Sequence, residues 1–481
     1  MGKISSWNKD RKEGSLKGRK GIRIAVGVSV VTLLFMCLFL FVILPKVHRP
    51  VAGEEETTPE YVAEQTNADA DPSGATSADP GSVSPSEETT GEKSSDPGET
   101  ENSTSSDAEK TDPTEAASTV EETTEPEPED QYIDIIAVGD NLYHKSLSQS
   151  GIKEDGTYDY TPVYRGTKYL ISQADIAVIN QETPMAGEEY GIQTYPRFNV
   201  PQPIGNAMVC AGFDVVSFAT NHMLDMGREG LINTAQYWKE KHPGVLVTGI
   251  SLSQEERDTV PYVECKGKKI AFLNYTYGVN SGNLGRQPYL LNTLNEETVR
   301  RDIARAKEEC DYVIVLPHWG VEGRSEPTDD QYNMALILAD AGADVVIGTH
   351  PHVVQKVQWV TGANGHRTLV FYSLGNFISL QDTAAKMLGG MARLRLKIDA
   401  QTGELTLDDY RMDYLVTHFL FDPALESFTQ MTVIPWESYT RKRAASHGLI
   451  NWGKKFSYDM LADLIEKNGP VTKEAIEAAQ E

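Results

Sequence analysis

Asp311–Gln355 reads DYVIVLPHWGVEGRSEPTDDQYNMALILADAGADVVIGTHPHVVQ and, after a short excursion, Thr368–Phe377 reads TLVFYSLGNF. Two apolar, β-branched runs, Tyr312–Leu316 and Val345–Ile347, each end in histidine: His318 after the first, His350 and His352 after the second. Between them, Gln331–Ala341 carries apolar residues at helical spacing. This is a strand–helix–strand unit, and the crossover rule makes its strands parallel. Side chains at the carboxyl ends of neighbouring parallel strands converge on one crevice. Three imidazoles there point to a metal or phosphate site.

Working outward, charge divides the chain into unlike parts. The net charge of −26 is concentrated in residues 51–130, which hold 24 Asp/Glu against Lys93 and Lys110. Residues 1–50 hold 10 Lys/Arg against Asp10 and Glu13, so the rest is only moderately acidic. The low pI therefore says little about the ligand of the globular part. Ile24–Leu44 is an uncharged run of 21 residues, long enough to span the bilayer core. Lys17, Arg19, Lys20 and Arg23 outweigh Lys46 and Arg49 across it, which predicts a cytoplasmic N-terminus and an extracellular main domain. No small-x-small cleavage site follows, so the run is expected to stay as a signal anchor. The organisation expected is a basic tail (1–23), a transmembrane helix (24–44), a disordered acidic stalk (45–130), a main domain (131–420) and a C-terminal helical extension (421–481). Cys37, Cys210, Cys265 and Cys310 have neither zinc-finger nor disulfide-framework spacing, and the last three read as small buried apolar residues.

Through the main domain, strands end in polar residues. Ile133–Val138 leads to Gly139-Asp140 and His144; Ile176–Ile179 leads to Asn180-Gln181-Glu182; Val215–Ala219 leads to Thr220-Asn221-His222. Helices are predicted near Tyr164–Gln173 and over Pro203–Ala211, Glu229–Lys241 and Glu296–Glu309. Val245–Thr248 reads as a short strand, Tyr262–Cys265 with Lys269–Asn274 as a hairpin, and Ala392–Ile398 and Leu405–Tyr414 as further strands. Asp140, Glu182, Asn221 with His222, His318, and His350 with His352 thus stand at five strand ends. A single buried histidine is more often a hydrogen-bonded core residue than a ligand, but independent accidents explain this recurrence poorly. Oxygen and imidazole donors without thiolate suit one or two divalent ions such as Mn²⁺, Zn²⁺ or Fe.

The motifs Gly139-Asp140, Asn180–Glu182, Asn221–Gly227 (NHMLDMG), His318–Glu322 (HWGVE), Gly348–Gln355 (GTHPHVVQ) and Tyr372–Phe377 (YSLGNF) together resemble the capsule-synthesis protein CapA family. That family is linked to poly-γ-glutamate at bacterial surfaces and looks like a branch of the calcineurin-like metallophosphoesterases. The resemblance covers roughly Asp134–Met412. It implies an α/β sandwich of two central mixed sheets flanked by helices. By position, Asp140, Glu182, Asn221, His318, His350 and His352 match metal ligands, and His222 matches the histidine that assists the reacting group. One departure stands out: the superfamily's first motif is Asp-x-His, whereas here His144 lies four residues after Asp140.

Asp225, three residues after His222, is either its orienting carboxylate or an ordinary helix-start residue. Glu322 faces substrate or ligands, or is a solvated loop charge; Trp319 stacks on substrate or packs. Gln355, Ser373 and Asn376 are further candidates beside the site, and Arg165, Arg197, Arg286 and Arg324 are loop cations able to meet an anion. The expected function is metal-dependent hydrolysis, phosphoesterase-like, of a phosphoester or amide of an anionic surface polymer such as poly-γ-glutamate, with His222 assisting the leaving group. The alternative is a non-catalytic polymer-binding or export component of a capsule synthesis complex. The expected partners are the membrane, the polymer and other capsule synthesis membrane proteins; no nucleic acid is expected.

Overall fold

A computed structural model describes residues 129–479. Its strands, in chain order, are β1 (Gln131–Asn141), β2 (Ile176–Gln181), β3 (Val215–Ser217), β4 (Leu246–Thr248), β5 (Tyr262–Cys265), β6 (Lys268–Thr276), β7 (Tyr312–His318), β8 (Val345–Ile347), β9 (Val357–Thr361), β10 (Arg367–Phe371), β11 (Asn376–Ile378), β12 (Leu388–Ile398), β13 (Leu405–Asp422) and β14 (Ser427–Pro435). They form an eight-stranded sheet ordered β14-β13-β12-β1-β2-β3-β4, with β11 beside β1, and a six-stranded sheet ordered β5-β6-β7-β8-β10-β9. Both are mixed. β1 through β4 run parallel, as do β6, β7, β8 and β10, whereas β12–β14 and the edges β5 and β9 run antiparallel. The parallel β7–β8 pairing is the one the opening stretch predicts.

Period-two alternation explains the layering. Ile270, Phe272, Ile314, Leu316, Val345 and Ile347 share one apolar cluster with Ile135, Ala137, Val178 and Val215 of the other sheet. Their alternates Ala271, Leu273, Val313, Val315 and Val346 face a second cluster with Val299, Ile303, Ala306, Ala335 and Leu338. Those last residues belong to two helices that cover the six-stranded sheet, Glu296–Glu309 and Asp329–Ala341. The first starts where Asn295 accepts a hydrogen bond from the Thr298 N–H. The second starts with a reciprocal Thr328/Gln331 capping box and stops at Gly342, whose φ of 98° only glycine adopts readily. On the other sheet, Ile204 and Met208 from Pro203–Ala211 and Leu231 and Trp238 from Gly227–Lys241 extend the same cluster, Trp238 packing on Phe218. The β5–β6 hairpin closes through Lys266 and Gly267, both at positive φ, the geometry of a two-residue turn.

Three expectations need correction. The helix near Tyr164–Gln173 is two short pieces, Thr161–Tyr164 and Lys168–Ile171. The segment from 421 does not begin as a helix: β13 runs to Asp422, and β14 pairs with it before the chain turns helical. The helix formers of this segment lie after residue 440, whereas Ser427–Pro435 carries the β-formers Phe428, Thr429, Thr432, Val433 and Ile434. Cys210 is exposed, on the outer side of the last turn of its helix, and Cys265 and Cys310 are only half-buried. The predicted basic tail, membrane span and acidic stalk, up to residue 128, lie outside the described residues. Among the described residues no helix is long and apolar enough to cross a membrane.

Candidate metal centre

The carboxyl ends of the parallel strands of both sheets meet at one place. Asp140 lies near the end of β1, and its N–H donates to the Gly375 carbonyl at 2.9 Å. Any Cβ on Gly139 would sit 1.9 Å from that same oxygen, so the Gly139-Asp140 pair owes its glycine to this close approach. The Asp140 carboxylate is fully buried. Its Oδ1 accepts from Asn180 Nδ2 at 2.8 Å, and its Oδ2 accepts from the His350 N–H at 3.2 Å and lies 3.1 Å from His352 Nδ1. Ser217 donates in turn to Asn180 Oδ1 at 2.9 Å, so three strand ends position one carboxylate.

Glu182, just past β2, is 0 % exposed, yet neither of its carboxylate oxygens has a hydrogen-bond partner. It faces His352 Nε2 at 3.5 Å and His222 Nε2 at 4.0 Å. His350 Nδ1 is also buried and unpartnered. Leaving such atoms unsatisfied is costly, and this donor set fits a cation. Donor atoms of Asp140, Glu182 and His352 lie within 4.8 Å of one another, as do those of Glu182, His318 and His350. The two groups share Glu182. His318 Nε2 lies 2.8 Å from Asn221 Oδ1 and its Nδ1 2.9 Å from Thr349 Oγ1, which fixes the ring. His350 (φ 98°) and His352 (φ 58°) both hold left-handed backbone conformations, a strain that clusters at functional sites.

Electrostatics point the same way. Burial pushes His350 down to about 3 and His318 well below the ordinary imidazole value, each helped by neighbouring histidines. Burial raises Glu182 well above the carboxylate range, with His352 pulling the other way. Burial also opposes charge on His352, but Glu182 and Asp140 outweigh it and lift that ring to about 9. What these side chains lack is positive charge. A divalent ion would supply it, holding Glu182 as carboxylate and the imidazoles neutral.

Beside the ligand groups, His222 Nδ1–H donates to Asp225 Oδ2 at 2.7 Å. Asp225 is itself held: Oδ2 accepts from the Phe198 N–H at 2.8 Å, and its carbonyl accepts from Arg197 Nε at 2.9 Å. The ring of Phe198 meets His222 edge-on with centroids 4.8 Å apart. His222 Nε2 is left facing Glu182, with Asn280 Nδ2 donating to it at 3.4 Å.

With this geometry in place, the chain matches the model of "Bacterial capsule synthesis protein PGA_cap" over residues 134–381, just over half its length. The chain belongs to that family. Its similar relatives include the PGA biosynthesis protein CapA of Bacillus subtilis (strain 168), 29 % identical over 47 % of this chain and 57 % of that one. The capsule biosynthesis protein CapA of Bacillus anthracis is 28 % identical over 52 % of this chain and 60 % of that one. The chain thus spans about six-tenths of the length of these curated relatives. Among solved structures, a phosphatase from Mycoplasma pneumoniae is 15 % identical with a TM-score of 0.38, covering 60 % of this chain and 94 % of that one. A putative 5′-nucleotidase from Staphylococcus aureus is 16 % identical, also with a TM-score of 0.38, over 59 % of this chain and 54 % of that one. Likenesses this loose leave the fold as its own strands define it.

In this PGA_cap family member, the expected ligands Asp140, Glu182, Asn221, His318, His350 and His352 come together, with the His222–Asp225 pair beside them. Asn376 belongs with them, because its Oδ1 lies 3.1 Å from His352 Nδ1. His144 does not complete the Asp140 group; His352 does. The Nδ1 of His144 accepts from the Leu380 N–H at 3.4 Å, its ring meets Phe198, and burial pushes it down to about 4. Trp319 is no substrate platform. It is buried, donates to the Tyr372 carbonyl at 2.8 Å and stacks on that ring. Gln355 bridges Gln331 and the Arg324 carbonyl, and Ser373 ties the Val353 carbonyl to the Gly375 N–H, so both fix loops rather than face the site. Glu322 is half-exposed at the mouth, 4.0 Å from His352 Nε2. Sequence reasoning missed Asn280 and Tyr277, whose ring centroid lies 4.8 Å from that of His350. Both lie just past the end of β6, a parallel strand end with no acidic or imidazole side chain to flag it.

Proposed function

We propose that this protein is a metal-dependent hydrolase that cleaves a phosphoester or amide bond in an anionic cell-surface polymer during capsule synthesis. The observation that carries the reading is Glu182, buried with neither oxygen hydrogen-bonded, shared by two histidine-bearing donor groups and next to the His222–Asp225 pair. Bound there, a divalent ion would polarise the scissile group and make water a competent nucleophile near neutral pH. The chain's own residues do the rest. Asp225 commits the Nδ1–H of His222, so Nε2 is the atom that exchanges a proton with the substrate. Arg197 and the Phe198 N–H hold Asp225, and Phe198 packs on the ring so that Nε2 stays aimed at Glu182. The names of the two Bacillus relatives support a capsule polymer, poly-γ-glutamate in the first case, as the substrate class.

The purified chain should contain metal and hydrolyse either a chromogenic phosphodiester or poly-γ-glutamate. His222→Gln should keep the metal while losing roughly 10²–10⁴ in turnover. A metal-loaded chain that turns over neither substrate faster than His222→Gln would instead be a polymer-binding or assembly component.

Residues 24–44 supply the further proposal of a single membrane span with the cytoplasmic end first, supported by the basic flank that precedes them. Protease added to intact cells should then release the 129–479 part from the membrane. Full protection of that part would place it inside.

A further inference from the structure

Lys386 lies just past residue 381, where the family match ends, on the short 3₁₀ turn Ala384–Met387. Its backbone is tied to the ligand groups: the Lys386 carbonyl accepts from Asn376 Nδ2 at 3.0 Å, while Asn376 Oδ1 meets His352 Nδ1. The side chain is 19 % exposed. Among the described residues its ammonium makes no hydrogen bond, and its nearest counter-charge is Glu322 Oε2 at 3.9 Å. That same Glu322 oxygen lies 4.0 Å from His352 Nε2, so the Lys386–Glu322 pair stands at the mouth beside the ligands. The ammonium's charge also reaches Glu182 and His350.

The lysine stem is partly covered, while its ammonium keeps three donors that an acceptor at the mouth can fill. Glu322 does so only loosely, and at 48 % side-chain exposure it is free to turn to solvent. With cations on Asp140 and Glu182, the attraction between Glu182 and Lys386 would be offset. The field at the mouth would then favour an incoming anion.

We propose that Lys386 is the substrate-anion subsite of this centre, receiving a compact phosphate or carboxylate group of the polymer in exchange for Glu322. The inference rests on the hydrolase reading for its substrate class. Its test is a binding measurement with probes that are not turned over. The full chain in detergent, loaded with Mn²⁺, would be titrated calorimetrically with inorganic phosphate and, separately, with glutarate.

Lys386→Gln should weaken at least one of the two by about tenfold or more, the worth of a charge-assisted hydrogen bond, with metal content and melting temperature unaltered. Lys386→Arg should retain most of the affinity. Glu322→Gln should tighten the same anion, since it removes the competitor. The arm that responds more strongly tells phosphate from carboxylate. The proposal is overturned if Lys386→Gln binds both anions as the unsubstituted chain does, or if it alters only metal content, which would make Lys386 a counter-charge for the acids. Neither probe is cleaved, so failure here is distinct from failure of the hydrolase reading, which shows in the His222→Gln comparison.

Discussion

His318, His350 and His352 are buried at the strand ends; His418 is buried on β13, and His447 is buried just before the short helix Gly448–Asn451 that packs against β13. The second pair behaves as core. His447 Nε2–H donates to the Thr417 carbonyl at 3.0 Å, its Nδ1 accepts from the Leu449 N–H at 3.1 Å, and its ring stacks on Phe456 with centroids 3.8 Å apart. His418 Nδ1 meets the Tyr439 hydroxyl at 3.0 Å, and the charge acting on it is that of Arg443, not a carboxylate. In the first set, by contrast, one nitrogen is orphaned, two backbones are strained, and buried carboxylates stand within 4 Å. Burial of an imidazole therefore distinguishes nothing by itself. Unsatisfied donors in the company of buried acids mark the centre.

The largest effect expected from this contrast is on metal content. His350→Ala should lose most of the bound metal in elemental analysis of the purified chain, whereas His447→Ala should keep it. Equal metal in both variants would dissolve the distinction between the two sets. The next effect runs the other way, on stability. His447→Ala removes the cap on Leu449, orphans the Thr417 carbonyl and opens a gap beside Phe456, and should cost about 2–4 kcal/mol in urea denaturation. A cost below that of a typical surface substitution would show that the ring is not part of the core.

The smallest effect is on pH dependence. In the fold, burial pushes His447 down to about 3 and His418 down to about 4. An unfolded chain has these groups near 6.5. As pH falls below about 6.5 the unfolded state takes up protons first, so the stability these neutral rings carry is full above that value. It is lost progressively towards pH 3–4, at up to about 1.4 kcal/mol per pH unit for each group. His447→Gln should flatten part of that slope between pH 6.5 and 4. An unchanged slope would mean that the ring already titrates in the fold.

Much of the architecture was legible because strand and helix periods are local. Glu296–Glu309 begins and ends where its apolar face predicts, and the β7–β8 crossover follows from chain handedness. β14 carries its own strand formers, Phe428, Thr429, Thr432, Val433 and Ile434, but the helix formers after residue 440 dominate the composition of the segment as a whole. The exposure of Cys210 went unread for a related reason: composition ranks cysteine as buried, while its position on the helix faces it outward.

By itself the sequence determined which residue types stand at which strand ends, and so which chemistry gathers there: Asp140, Glu182, Asn221, His222, His318, His350 and His352. A strand's carboxyl end is a local property, and parallel neighbours bring such ends together whatever the loops do. The tertiary structure alone decided the partners. It set His352 rather than His144 beside Asp140, turned Trp319 onto Tyr372, brought Asn280 to His222, and stood Lys386 opposite Glu322. These juxtapositions depend on sheet register and loop path, which are fixed by contacts between residues far apart in the chain and leave no periodic signal within it.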